Sequence, residues 1–397
     1  YIVDHCDLLI ALRDENSSGD ESGEAATIAY ARKKARPVIK ISAAAPHDIS
    51  VEGGHGLNAR SISGIERFNA FTVAAAEQEA YISNLCAELF KEKYGLPDEA
   101  KREAREGLMP FYVRASNLAK GNQKLYRRAG LLVYSFSALA VAAVAIGTLV
   151  HSLSPWAFAL ELLLLLSILT IVFYANRRRT HKQWIESRFL AERIRAAIFL
   201  AVCGVEASQI SAPPYMGSAD QPDEWMVMTF NEIWDRLPAR NGCAGEFCTV
   251  FESFARESWI QDQIEFHEKK ARDSERMSRL LERGGIVAFG LALMAAALHL
   301  ILFALHIEWL GRTLILAAIS LPAVGAAIGG IRTHREYSRL AKRSNNMAIN
   351  LRRLDERFSS ASDPQTLESL LQETERLMLL ETQDWLMLMR FAKLETV

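Results

Sequence analysis

Residues 130–150 run the length of a membrane span without one charged side chain, and three further runs nearly match them: 155–175, 286–305 and 313–331. A bilayer core about 30 Å thick needs roughly 20 apolar residues in a helix. Soluble core helices of that length seldom avoid charge so completely, so the pattern predicts four transmembrane helices. The ionisable residues inside them are Glu161, near the start of the second, and His299, in the third. Only a few residues separate the members of each pair, which makes each pair a hairpin.

Charge then sets the orientation. Arg127 and Arg128 precede the first span, and Arg177, Arg178, Arg179 and Lys182 follow the second. Arg279 and Arg283 precede the third, and Arg332, Arg335 and Arg339 follow the fourth. The turn at 151–154 has no Lys or Arg, and that at 306–312 has only Arg312. By the positive-inside rule both turns face out, and the flanks and both ends of the chain face the cytoplasm. Trp156 and Trp309 fall at the outer boundary, where indole rings concentrate.

Outside the spans the apolar positions form stripes. Trp184, Ala191, Ile194, Ile198 and Val205 recur at helical spacing after the second span. After the fourth, Tyr337, Leu340, Met347, Leu351, Leu354 and Phe358 follow a seven-residue repeat with Ser344 as its polar member. Ile260, Ile264, Ala271 and Leu281 mark a stripe before the third. Charged faces back each stripe, which predicts that the spans continue as long cytoplasmic helices packed into a bundle, or into an oligomer seam. Breaks are expected at the proline-rich 211–222, at 241–245 and at 359–364. Residues 68–94 read as a helix, 98–107 as a solvated connector, and 365–392 as a terminal helix.

The first 41 residues follow another pattern: a short apolar run at 7–12, a polar loop at 14–23, a helix at 24–35, and a second apolar run at 37–41. Strand, loop, helix, strand is a βαβ unit, which implies a parallel sheet. Ligands of such sheets bind where the loop meets the helix. Amides around Gly23 are placed to hold a phosphate, and Asp14, Glu21 or Glu24 to meet a ribose hydroxyl. The chain opens at Tyr1 inside a strand-like run, which reads as a piece of a longer protein. The run at 8–12 is too short for a signal peptide.

The net charge of −1 gives no reason to expect a nucleic-acid partner. Cys6, Cys86, Cys203, Cys243 and Cys248 fit no disulfide framework or zinc spacing and read as free thiols in a reducing compartment. No catalytic triad, Walker loop or metal cluster is apparent, so no catalytic residue, metal or cofactor is assigned.

The run Asp4 to Leu12, then Gly23-Glu24-Ala25-Ala26-Thr27, Ala31-Arg32 and Arg36-Pro37-Val38-Ile39, resembles the closing part of SLOG domains, Rossmann-like relatives of phosphoribohydrolases and deoxyribosyltransferases. The remainder resembles SLATT domains, two-span modules. The carrying residues are Trp184, Arg188, Ala191-Glu192 and Arg195 after the first hairpin, and His334 to Leu340, Ala341, Asn346-Met347-Ala348 and Leu351 after the second. The resemblance implies a mainly α, four-span inner-membrane protein preceded by an α/β Rossmann-like fragment. Its expected organisation is a SLOG-like part (1–56), a helical connector (57–110), a first two-span unit (111–210), a cytoplasmic linker (211–250), a second, SLATT-like unit (251–360) and a C-terminal helix (361–397).

It further implies an effector of a bacterial conflict or antiphage system. A nucleotide-derived ligand, such as a second messenger, would be sensed by the SLOG-like part, and a homo-oligomer would perforate the bilayer. Candidate ligand contacts are Asp14, Gly23 and Glu24. Candidate pore or packing residues are Glu161, His299, Gly325 and Gly329, the two glycines at the small-xxx-small spacing that lets helices approach; Ala138, Ala142, Ala145 and Gly147 give the first span a like character. The alternatives are a membrane-anchored enzyme cleaving N-glycosidic bonds with Glu24 as nucleophile, and a receptor or scaffold.

Overall fold

The computed structural model describes residues 3, 9–13, 23–34, 38–42, 49–52, 59–207, 225–238, 248–305, 310–359, 361 and 363–390. Asp14, Glu21, Trp309, Cys6, Cys243 and the loops expected at 211–222 and 241–245 lie outside them. The chain divides into two units, one made of Tyr1–Thr72 with Ile210–Glu232, the other of Val73–Gln209 with Ile233–Val397.

In the first unit, β1 (Leu9–Arg13), α1 (Gly23–Lys33) and β2 (Val38–Ser42) form the expected βαβ unit, with β1 and β2 parallel from Leu9↔Val38 to Arg13↔Ser42. A third strand, β3 (Ile49–Glu52), adds antiparallel to β2. Val3, Ala11, Ile28, Ala31 and Val38 form its small core. α2 (Ala59–Ala70) buries Phe68 against Trp225 at the start of α8 (Trp225–Asp235), ring centroids 6.2 Å apart. Gly64 is needed there, because a Cβ on it would come within 2.5 Å of the Trp225 ring.

The second unit starts with α3 (Ala75–Leu89), so 68–94 is not one helix: four residues, 71–74, separate α2 from α3. The expected solvated connector at 98–107 is also corrected. α4 (Asp98–Glu103) passes through a π-helical turn, Ala104–Leu108, straight into α5 (Met109–Leu149). Its charges lie on the outer face while Ala104 and Leu108 are fully buried. Pro110 has no N–H to offer the carbonyl of Glu106, and the helix widens into the π turn at that point.

α5 and α6 (Ser154–Arg177) make the first hairpin, and α7 (Thr180–Val202) returns along α5. After α9 (Cys248–Phe254) the plan repeats. A π turn at Ala255–Gln261 leads into α10 (Asp262–Ala304), which forms the second hairpin with α11 (Gly311–His334). α12 (Tyr337–Phe358) then returns along α10, and α13 (Pro364–Arg390) docks on α7. Each hairpin ends in a residue of left-handed backbone, Arg179 (φ 49°) and Glu336 (φ 50°), which turns the chain from the apolar helix into the helix that returns along α5 or α10.

Four helices are long and apolar enough to cross a membrane. Small side chains predominate at their contacts, with Val133, Leu164, Ile168 and Val172 buried beside them. Ala140, Ala143, Ala145, Ala157, Ala288, Ala292 and Ala295 are buried, while Leu162, Leu166, Phe173, Leu293, Leu300 and Phe303 lie on the outer surface. In lipid, large apolar side chains gain nothing by leaving the solvent, so close packing selects small residues at the contacts. α5 packs on α6 and α11, and α11 packs on α10. The spans therefore stand in the order α6, α5, α11, α10, and the two end helices share no substantial contact among the described residues.

Candidate functional site

Gly23 opens α1, is exposed and has open space where a Cβ would be, with Thr27 Oγ1 donating to its carbonyl at 2.6 Å. Glu24 follows it in the helix, and its side chain, like Asp14, lies outside the described residues.

In the spans, Glu161 is half-buried in the second turn of α6. His299 is half-buried near the outer end of the second hairpin, its ring 3.5 Å from where a Cβ of Gly311 would lie. Gly325 is a true close approach: a Cβ there would come within 2.8 Å of the Phe289 ring and 3.4 Å of the Gly285 carbonyl. Gly329 faces open space. Its neighbour Gly330 makes the contact instead, beneath the Tyr134 ring of α5, and Gly130 likewise receives His334 of α11.

Below the spans lies a cavity of about 330 Å³ walled by α5, α7, α10, α12 and α13. Its charges are strongly unbalanced. α5 contributes Lys120 and Arg127, and α7 contributes Arg188 and Arg195. Lys270 comes from α10, Arg335 from the bend after α11, and Arg339 and Arg343 from α12. Only Glu192, Glu336 and Glu381 oppose them, and each already has a partner in the protein. Glu192 lies 3.3 Å from Arg195, Glu336 2.9 Å from Arg339, and Glu381 2.8 Å from Arg343. Lys120, Arg127, Lys270 and Arg335 have no carboxylate within salt-bridge distance among the described residues.

The protonation balance follows this crowding. Burial, with the charges of Arg127 and Arg188, holds the Lys270 ammonium below its ordinary range, and burial with Arg335 and Arg188 does the same to Arg127. Burial alone would raise the carboxyl of Glu192, but Arg195 and Arg188 outweigh it and hold it low. Burial and the nearby Arg195 push His267 down to about 4, so its ring is neutral at pH 7. His267 is 7% exposed, and its Nδ1 has no hydrogen-bond partner.

At the membrane end of the cavity Tyr126 lies between two imidazoles, His181 at 4.3 Å and His334 at 4.6 Å between centroids. Burial pushes both histidines down to about 4. At the far end Trp259, in the second π turn, stacks on Phe199 at 4.8 Å. Tyr112 lies 18 residues before Gly130, so the cavity reaches roughly 27 Å below the first span.

The stripes on α7 and α12 are the buried faces expected. On α10 the buried face differs from the expected Ile264, Ala271 and Leu281: it is Gln263, His267, Ser274 and Ser278. Hydropathy assigned these polar residues to the solvent side. Their 4, 7 and 4 residue spacing was the available signal. Arg332 uses this seam, donating to Ser278 at 3.1 Å and pairing with Glu282 at 3.0 Å. Among the described residues no cluster of His, Cys, Asp and Glu is arranged to hold a metal, and Cys86 and Cys248 are free thiols.

Residues 256–385 match the family described as SMODS and SLOG-associating 2TM effector domain 1, a SLATT domain. The match begins in the second π turn and takes in both spans of the second hairpin, α12 and most of α13. No curated protein and no solved structure matches the chain.

Proposed function

We propose that the chain is a membrane effector of a bacterial conflict system, in which several copies assemble at the inner membrane, with both termini cytoplasmic, and form or gate a pore. The SLATT match supports an effector at the membrane. The observation that carries the gating reading is mechanical: α5 and α10 each run unbroken from the cavity into the bilayer. A change in how they pack below the membrane is therefore transmitted to the spans without a hinge. The open row of spans supports assembly, since a row that does not close on itself encloses no path alone. On this reading the βαβ piece is the remnant of a SLOG-like nucleotide sensor, with its ligand at Gly23 and Glu24.

The test is membrane potential, followed with a dye during induced expression and phage challenge in a bacterial host. Wild type, His299→Ala and Gly325→Leu would be compared, with fractionation showing equal membrane insertion. Depolarisation that the two variants reduce is expected. A potential that stays flat under both conditions, with the protein in the membrane, ends the pore reading.

A further inference from the structure

The cavity in the cytoplasmic bundle is not explained by the pore reading, and its chemistry is specific. Three half-buried cations, Arg127, Lys270 and Arg335, lack a carboxylate partner among the described residues, as does the exposed Lys120. Arg335 also donates to the Arg127 carbonyl at 3.3 Å, which fixes those two side by side. Holding like charges together in a protein raises its energy unless an anion is taken up between them. Phe266 is 46% exposed and lines the same cavity, as does Tyr112; both are rings with surface left for a ligand. His267 sits beside Phe266 with an unpartnered, buried Nδ1. A cavity of about 330 Å³ lies in the range of small-molecule sites.

We propose that this cavity binds a phosphorylated small molecule with a planar ring, of the mononucleotide class. The phosphates sit among Arg127, Arg188, Lys270 and Arg335, and the ring lies toward Tyr112 and Phe266, with His267 as a polar contact. Guanidinium groups suit phosphate oxygens, because paired N–H donors match their geometry. A phospholipid headgroup offers the same phosphate from another source. The aromatic end lies roughly 27 Å below the first span, which favours a ligand that arrives from water. Such a ligand would bridge α5 to α10, the two helices that enter the bilayer. That consequence rests on the effector reading, whereas the binding does not.

The experiment is isothermal titration calorimetry on the full chain in phosphatidylcholine nanodiscs, with the four ribonucleoside diphosphates, adenosine and pyrophosphate as probes. At least one diphosphate is expected to bind in the micromolar range, and adenosine at least about tenfold more weakly than ADP if ADP is the one that binds. Lys270→Gln should weaken binding at least about tenfold while raising the unfolding temperature, because it removes a repelled charge. A merely structural lysine would lower that temperature. No heat from any of the four diphosphates overturns the proposal. So does binding unchanged in Lys270→Gln, or binding abolished when phosphatidylglycerol is included, which would assign the cavity to lipid. Binding with a flat membrane potential would sustain this site and remove the pore.

Discussion

The two hairpin units are built to one plan and finished differently. In each, a π turn leads into a helix of 41 or 43 residues, then a 24-residue apolar helix, a left-handed residue, and a returning helix of 23 or 22 residues. Even the membrane boundary is echoed, Arg128-Ala129-Gly130 in one and Arg283-Gly284-Gly285 in the other. The differences follow position in the row of spans. α6 stands at an edge and carries exposed Leu162, Leu163, Leu166 and Leu169. α11 stands between α5 and α10 and carries Gly325 and Gly330 at its contacts. Below the membrane the contrast reverses. α7 is buried on nearly every face, Arg193 included, because α5 and α13 both pack on it, whereas α12 buries one stripe. One backbone plan thus accepts large or small side chains according to whether lipid or protein surrounds it.

The sharpest way to break this comparison is to attack the buried face of α7. Arg193 pairs with Glu375 of α13 at 2.9 Å, with side chains 3% and 0% exposed. Glu375→Ala leaves a buried cation and should cost about 3–5 kcal/mol. Thermal unfolding in detergent measures it; a loss below 1 kcal/mol would mean that α13 does not seal α7. The central position of α11 is tested next. Gly130→Leu and Gly330→Leu should each cost about 1–3 kcal/mol through overpacking. Gly329→Leu and Gly290→Leu, which meet open space, should change little. Equal losses at all four would deny that α11 is packed against α5.

The third test concerns His181 from the first unit and His334 from the second, which share Tyr126. Both are held at about 4 by burial; His181 also faces His334, and His334 faces Arg335 and Arg127. An unfolded histidine titrates near 6.5, so between pH 6.5 and 4 the unfolded chain binds more protons. Stability should fall as pH drops through that window, by about 1–2 kcal/mol per ring. With His267 also held at about 4, His334→Gln should flatten the slope of stability against pH by about a third, and a slope left unchanged would mean that the ring is not buried neutral. The smallest effect is expected on the outside of α12. Arg357 and Glu373 are 54% and 45% exposed, and Arg357→Ala should cost less than about 1 kcal/mol, reduced further by salt.

The four spans, the two hairpins and the stripes of α7 and α12 could be read without coordinates. Each rests on a local rule: a helix satisfies its own backbone in lipid, and twenty uncharged residues or a repeat of 3.5 to 3.6 leave few other solutions. The βαβ piece was legible for the same reason. Local rules misread 98–107, because seven charged residues in ten do not reveal that Ala104 and Leu108 face a core. They chose Gly329 along with Gly325, although Gly330 is the residue under Tyr134, since spacing does not say which neighbour a helix turns toward.

The cavity was beyond them altogether. Its lining runs from Tyr112 to Thr382 across five helices, and each arginine alone reads as a solvated or positive-inside charge. The sequence determined which helices are long and apolar enough to cross a membrane, because solvation by lipid is paid residue by residue along one helix. Only the tertiary structure decided which cations face one another, because an electrostatic field is a sum over neighbours in space.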